Sequence, residues 1–202
     1  MATVIKTGKQ STTSDRALAW VAQAHCTDTD RYMLEGILFV HNNDKTVYAV
    51  ASDARRLHMA TLPLAYVESL NVTICENNRS EWKATQVVKR TKSELILGET
   101  SPYQYPNYQR VIPEYTHTAP IPEVETRFVY GAIASALQKA GTLVKIIDVN
   151  FITDLATYDY YPTDVAYHPC TADSPSSDKN KALLISSKDD SFDRIAVIMP
   201  IA

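Results

Sequence analysis

Few of the side-chain groupings in this chain have the form that bond-breaking chemistry requires. His168-Pro169-Cys170 sets an imidazole two positions from a thiol, a pairing used in nucleophilic catalysis and in metal ligation. No second thiol or imidazole stands at ligand spacing from it, so a surface loop with an incidental cysteine accounts for it more simply. Asp189-Asp190 resembles a metal-binding carboxylate pair, yet acidic residues between two apolar strands also make an ordinary hairpin turn. Asp53-Ala54-Arg55-Arg56 groups a carboxylate with two guanidiniums but offers no acid and base at catalytic spacing. The five histidines (His25, His41, His58, His117 and His168) are scattered, and only 5 glycines occur in the chain. There is no glycine-rich phosphate loop, no H-E-x-x-H and no G-x-S-x-G. The residues point away from an enzyme and from a metal or other cofactor, and toward recognition.

The elements that would carry such recognition are those of an α+β protein. Ser14 has the character of an N-cap with Asp15 behind it, and Ala17, Leu18, Trp20, Val21 and Ala24 follow at helical spacing, which predicts a helix over 15–25. Tyr32–Val40, Thr46–Ala51 and Arg56–Leu62 are apolar-rich runs separated by polar turns, the pattern of an antiparallel meander. A strand is expected over Leu70–Cys75. Residues 80–90 fit a short helix or a strand, and Glu94–Leu97 a strand. Proline and tyrosine dominate 102–115, which reads as a structured loop. Pro113, Pro120 and Pro122 mark a linker, so the domains are placed at 1–113 and 114–202. Beyond it come a helix over Val129–Ala140 with Gly141 just past its end, a strand Leu143–Ile147, a helix Val149–Thr157 behind Asp148, and a strand beginning near Val165. A polar loop follows over Thr171–Lys181, then a hairpin of Leu183–Ser186 and Arg194–Ile201 around Lys188-Asp189-Asp190.

The chain has 202 residues, 45% of them hydrophobic, and a formal net charge of −3. No global basic field draws it onto nucleic acid, so DNA contact would need a local basic face or a ring. Lys83, Lys89, Arg90 and Lys92 form the densest basic stretch, which fits either a DNA-facing surface or a solvated one. Cys26, Cys75 and Cys170 form no disulfide framework, which points to a reducing compartment. With no secretory signal and no apolar run of bilayer length, a cytoplasmic location is expected.

Three separated segments resemble the bacterial DNA sliding clamp, the beta subunit of DNA polymerase III. Arg31-Tyr32-Met33-Leu34-Glu35-Gly36-Ile37-Leu38-Phe39, followed by Val47-Tyr48-Ala49-Val50-Ala51-Ser52-Asp53-Ala54-Arg55-Arg56-Leu57, is similar to R-Y-x-L-x-G-x-L-F and V-A-T-D-G-H-R-L of the family's middle domain. Tyr105-Pro106-Asn107-Tyr108-Gln109-Arg110-Val111-Ile112-Pro113 resembles F-P-D/N-Y-x-R-V-I-P. The end, Ala196-Val197-Ile198-Met199-Pro200-Ile201-Ala202, is similar to V-V-M-P-M-R-L. Ala54 stands where the family has glycine and Arg55 where it has histidine.

The resemblance implies a DNA-clamp-like α+β fold of two reduced domains, with antiparallel sheets and helices packed on one face. The first would correspond to the family's middle domain and the second to its last. It also implies a hydrophobic cleft for short linear motifs of polymerases or repair proteins, using Leu34, Arg56, Leu57, Pro106, Arg110, Val111, Val197, Met199, Pro200 and Ile201. A concave apolar pocket would take a Leu- or Phe-bearing peptide by desolvation, at about 1.5–3 kcal/mol per buried anchor. Leu34, Leu57, Val111 and Val197 fit a core equally well. Tyr103, Tyr105, Tyr108 and Tyr115 fit loop packing or base stacking. The expected role is a non-catalytic tether of polymerase or other partners to DNA, with Arg16 and the 83–92 stretch as DNA-facing candidates. A trimer would close a ring. The alternative is a truncated, non-encircling relative that acts as an adaptor or competitor for clamp-binding motifs.

Overall fold

A few local signals set where each element starts and stops. The computed structural model describes residues 2–8, 11–115, 117–125, 128–142, 148–155, 157–158, 160–169, 181–188 and 193–199. They fall into two compact units, Met1–Tyr108 and Gln109–Ala202; the sequence reading set its boundary a little later, after Pro113.

The first unit opens with strand β1 (Thr3–Lys6) and helix α1 (Thr13–Val21). The helix begins before the predicted Ser14 cap because Thr12 and Asp15 form a reciprocal capping box. The Asp15 N–H donates to Thr12 Oγ1 (3.1 Å), and the Thr12 N–H donates to Asp15 Oδ2 (2.9 Å), which satisfies two helix-end donors at once. α1 buries Ala17, Leu18, Trp20 and Val21 against strands β3 (Thr46–Ser52) and β4 (Arg56–Pro63).

Strand β2 (Leu38–Asn43) completes an antiparallel meander, β2-β3-β4, paired Leu38 with Val50 and Ala49 with Ala60. Asn43 Oδ1 accepts the N–H groups of Lys45 and Thr46 (2.9 and 3.0 Å) and turns the first hairpin, as its residue types predicted. The expected strand over Tyr32–Val40 is a correction. Thr29–Leu34 is instead a kinked 3-10 turn, and Gly36 has φ +135. A Cβ at Gly36 would overlap the Thr85 carbonyl, so only glycine allows this approach. The chain becomes regular strand only from Leu38.

Two further corrections follow. Leu70–Cys75 is not a strand: helix α2 (Leu64–Ser69) ends there, and Asn71 takes a left-handed φ of 54. Cys75 makes only a single parallel bridge to Val40. The ambiguous 80–90 stretch holds a short turn at Arg79–Glu81 and then strand β5 (Lys83–Arg90). Strand β6 (Glu94–Gln104) runs well beyond the expected Leu97, into the predicted loop. A second antiparallel sheet has the order β1-β6-β5. β1 pairs β6 only over residues 94–97, so Pro102 lies where β6 has β5 alone as a neighbour, an edge position where proline is tolerated.

The second unit has strands in the order β10-β9-β8-β7, all antiparallel: β7 (His117–Pro120), β8 (Asp164–Tyr167), β9 (Leu183–Lys188) and β10 (Asp193–Ile198). The expected linker therefore carries an edge strand, with Pro120 at its end, where proline is tolerated. Helix α3 (Val129–Lys139) packs on β7 and β8 and on helix α4 (Val149–Leu155). Gly141 follows α3 with φ +73, the left-handed exit its position predicted. The predicted strand over 143–147, most of the polar loop over 171–181, and the 189–190 hairpin tip lie outside the described residues.

His58 on β4 is fully buried and stacks on Trp20, with ring centroids 4.3 Å apart. Its Nδ1 lies 2.9 Å from the Trp20 carbonyl. Burial lowers its pKa from 6.5 to about 3. The unfolded chain therefore takes up this proton first. The stabilisation is complete above the unfolded value and is lost as pH falls toward the folded one, by up to about 1.4 kcal/mol per pH unit. Urea midpoints at pH 7 and pH 5 should show this loss in the native chain and a flatter profile in His58→Phe; equal slopes would show that His58 does not carry it.

Candidate functional site

The β3–β4 turn is a dense hydrogen-bonded feature of the first unit. Asp53 Oδ1 accepts the N–H groups of Arg55 and Arg56, both at 2.9 Å. Its Oδ2 receives the Arg56 Nε–H at 3.1 Å. Arg56 also donates through Nη2 to the Gln23 carbonyl at 2.8 Å, which ties the 3-10 turn Ala22–Ala24, continuous with the end of α1, to the β3–β4 turn. The Ser52 hydroxyl donates to the Arg56 carbonyl and receives the Ala54 N–H. These bonds hold Ala54 at φ 70, a left-handed conformation costing an alanine about 1–2 kcal/mol.

Two other segments converge here. Arg31 Nη1 donates to the Asp53 carbonyl at 2.8 Å, which brings the Thr29–Leu34 turn alongside. Tyr105 is buried, its hydroxyl pushed up in pKa by desolvation, with the Ser52 backbone and Asp53 among the groups around it. The Tyr105 N–H donates to the Trp82 carbonyl at 2.7 Å, and Trp82 stacks on Tyr108. Within the first unit, therefore, Arg31 and Tyr105 both lie against the 52–53 turn.

The individual residues divide by exposure. Leu34 is half-buried and Pro106 exposed. Leu57 is fully buried, and the Arg56 side chain is only 10% exposed. In the second unit Arg110 is exposed, Val111 is 49% and Met199 42% exposed, and Val197 is buried. Pro200 and Ile201 lie outside the described residues.

The DNA-facing candidates also divide. Arg16 is half-buried, and its Nη1 donates to the Ser11 carbonyl, so it braces the approach to α1. Lys83, Lys89, Arg90 and Lys92 are exposed. Lys89 shares Glu94 with Lys6, at 3.4 and 3.1 Å, and the two ammonium groups lower the Glu94 pKa, Lys6 most.

Catalytic alternatives gain nothing from the geometry. Asp53 is spent on turn hydrogen bonds. Among the described residues no three His, Cys, Asp or Glu side chains gather in a way that holds a metal ion. Cys170, Asp189 and Asp190 lie outside the described residues. The sequence reading missed a cavity of about 990 Å³ in the second unit, lined in part by Glu123, Tyr130 and Tyr161. Aromatic residues at exposed helix and loop positions were the available signal.

By sequence, the chain matches no family model and none of the curated proteins. By structure it matches the beta subunits of DNA polymerase III. The Streptococcus pneumoniae protein superimposes with a TM-score of 0.57 at 13% identity, over 100% of this chain and 65% of its own. The Thermotoga maritima subunit gives 0.56 at 14%, over 100% and 65%. The Bartonella birtlesii sliding clamp, bound to griselimycin, gives 0.53 at 15%, over 100% and 66%. The fold is that of the DNA clamp, α+β with antiparallel sheets, and the chain spans about 65% of the length of the clamps it matches.

If Arg56 is a brace rather than a surface contact, its loss removes the charge-assisted bonds to Asp53 and to the Gln23 carbonyl, while Asp53, 21% exposed, keeps its two backbone N–H donors. Arg56→Ala is expected to lower unfolding free energy by about 1.5–3 kcal/mol, and Arg55→Ala by no more than about 0.5 kcal/mol. Chemical denaturation of both variants measures the contrast; similar small losses would remove the bracing role.

Proposed function

We propose that this chain, which has the fold of the DNA polymerase III beta subunits, is a clamp-like processivity or tethering factor without catalysis of its own. The observation that carries the reading is the match of the whole chain to the clamp fold, together with three clamp-like segments in the family's order. Residues 1–113 are assigned to the family's middle domain and 114–202 to its last. The partner is a short linear motif of a DNA polymerase or repair protein. Leu34 and Pro106 in the first unit, and Arg110, Val111 and Met199 in the second, are the docking contacts. Arg56, Leu57 and Val197 support them from within, and Pro200 and Ile201 extend the second set.

The chemistry suits that task. Val111 and Met199 expose apolar surface, which a Leu or Phe side chain desolvates at about 25 cal/mol per Å² buried. Methionine adapts its shape to different anchors. Arg110 supplies charge-assisted hydrogen bonds to peptide carbonyls or an acidic side chain. Among solved clamps, the Bartonella birtlesii protein has griselimycin bound.

A second reading, a non-encircling adaptor or competitor for clamp-binding motifs, draws on the sparse basic character of α1, whose Arg16 is turned to the Ser11 carbonyl. Light scattering separates the two: a trimer supports a ring around DNA, and a monomer that still binds peptide supports the adaptor.

Fluorescence anisotropy with a labelled peptide bearing a Leu- and Phe-containing clamp motif tests the docking contacts. Met199→Ala and Val111→Ala are each expected to weaken binding by about tenfold, the loss of roughly 1.4 kcal/mol of apolar burial, with little change in unfolding midpoint. Unchanged affinity in both variants would remove these residues from the site.

A further inference from the structure

The second unit carries a concave surface that the docking contacts above do not use. Segment 121–125 leaves β7 and is fixed at its start by the Ile121 N–H, which donates to the Thr163 carbonyl at 2.8 Å. Beside it α3 presents Tyr130 and α4 presents Val149 and Ile152, with Tyr161 on the remaining side; Glu123 and Glu125 complete a groove of about 990 Å³. A smaller cavity of about 240 Å³ adjoins it, sharing Glu123, Val124 and Tyr161, with Ile121, Pro122, Val129 and Pro162 in its walls.

The two parts differ in chemistry. The small cavity is lined mainly by aliphatic side chains and by two prolines, which hold their backbone rigid. The groove leaves large side chains uncovered around one hollow: Tyr161 and Val149 are each 56% exposed and Tyr130 39%. Exposed apolar surface concentrated in this way marks an interaction site rather than a scattered surface. Among the described lining residues the charges have one sign. Glu123 and Glu125 are exposed, and no described lining residue is basic. Two carboxylates repel a nucleic-acid backbone and attract cations, and a tyrosine face accepts a Lys or Arg head group.

We propose that this groove is a second docking site, for a linear segment of a partner protein that carries one bulky apolar side chain next to one or two Lys or Arg residues. The apolar side chain enters the cavity between Pro122 and Pro162. The adjacent cation pairs with Glu123 and lies against Tyr130 or Tyr161. A second copy of this chain suits the groove less well: its densest basic stretch, 83–92, exposes only Val88 as a large apolar side chain. The site is independent of Leu34, Pro106, Val111 and Met199, so it stands or falls apart from the clamp-motif reading.

The test uses the full chain and a short fluorescein-labelled peptide with one Trp beside two Lys in a Gly/Ser background. Two counterparts carry Glu for both Lys, or Ala for Trp. Anisotropy should show saturable binding of the Trp-Lys peptide, weakening with added salt, and about tenfold or greater loss in each counterpart. Glu123→Lys combined with Glu125→Lys, and separately Tyr161→Ala, should weaken binding about tenfold, whereas Met199→Ala leaves it unchanged. The proposal is overturned if the native chain binds the Glu counterpart as tightly as the Trp-Lys peptide, a comparison that needs no variant to fold. It is also overturned if the charge reversal leaves affinity intact, or if light scattering shows that Tyr161→Ala lowers the solution mass, since the groove would then be a contact between copies.

Discussion

The architecture of the first unit depends on one almost buried guanidinium. Arg56 joins the Asp53 carboxylate to the Gln23 carbonyl, and so fixes the turn between two strands to the end of the helix that covers them. A charge taken out of water is tolerable only when it is paired and hydrogen-bonded, and both conditions are met here. The same turn places Ala54 in a left-handed conformation and receives Arg31 from the 29–34 turn. Stack the His58–Trp20 pair on the adjoining strand and helix, and the helix can neither slide along the sheet nor rotate without breaking polar and aromatic contacts together.

The two units solve the burial problem differently. The first closes two small sheets around Trp20, Phe39, Leu57 and Trp82, all essentially inaccessible. The second has four antiparallel strands, in the order β10-β9-β8-β7, with α3 and α4 among its described residues, and it leaves Val149, Tyr130 and Tyr161 uncovered. The apolar surface exposed there is available for partners.

Much of the meander was legible because its signals are local. Asn43 turns the β2–β3 hairpin through its own side chain, and Gly141 leaves α3 in the conformation that glycine favours. The errors came where a distant contact decides the backbone. Gly36 ends the 29–34 turn because Thr85, far along the chain, presses against it, and nothing near Gly36 in sequence reports that. α2 escaped notice because it is short, and its burial amounts to Val67. β6 runs through Pro102 because it lacks a second neighbour there, a fact of topology rather than composition. In the candidate site, the resemblance marked Arg56 as a cleft residue, and only the fold shows its bonds to Asp53 and the Gln23 carbonyl. Glu123, Tyr130 and Tyr161 carry no motif, and only the fold brings them to one hollow.

The central claim is that the segments gathered around the Arg56 turn, with the exposed apolar residues of the second unit, accept another protein's peptide. The most direct measurement is photo-crosslinking of the full chain with a clamp-motif peptide whose Phe is replaced by benzoylphenylalanine, followed by mass-spectrometric mapping of the attached site. The account predicts saturable labelling at 31–34, at 104–111 or at Met199, abolished by excess unlabelled peptide. Labelling confined to other surfaces, or labelling that the unlabelled peptide does not displace, would contradict it.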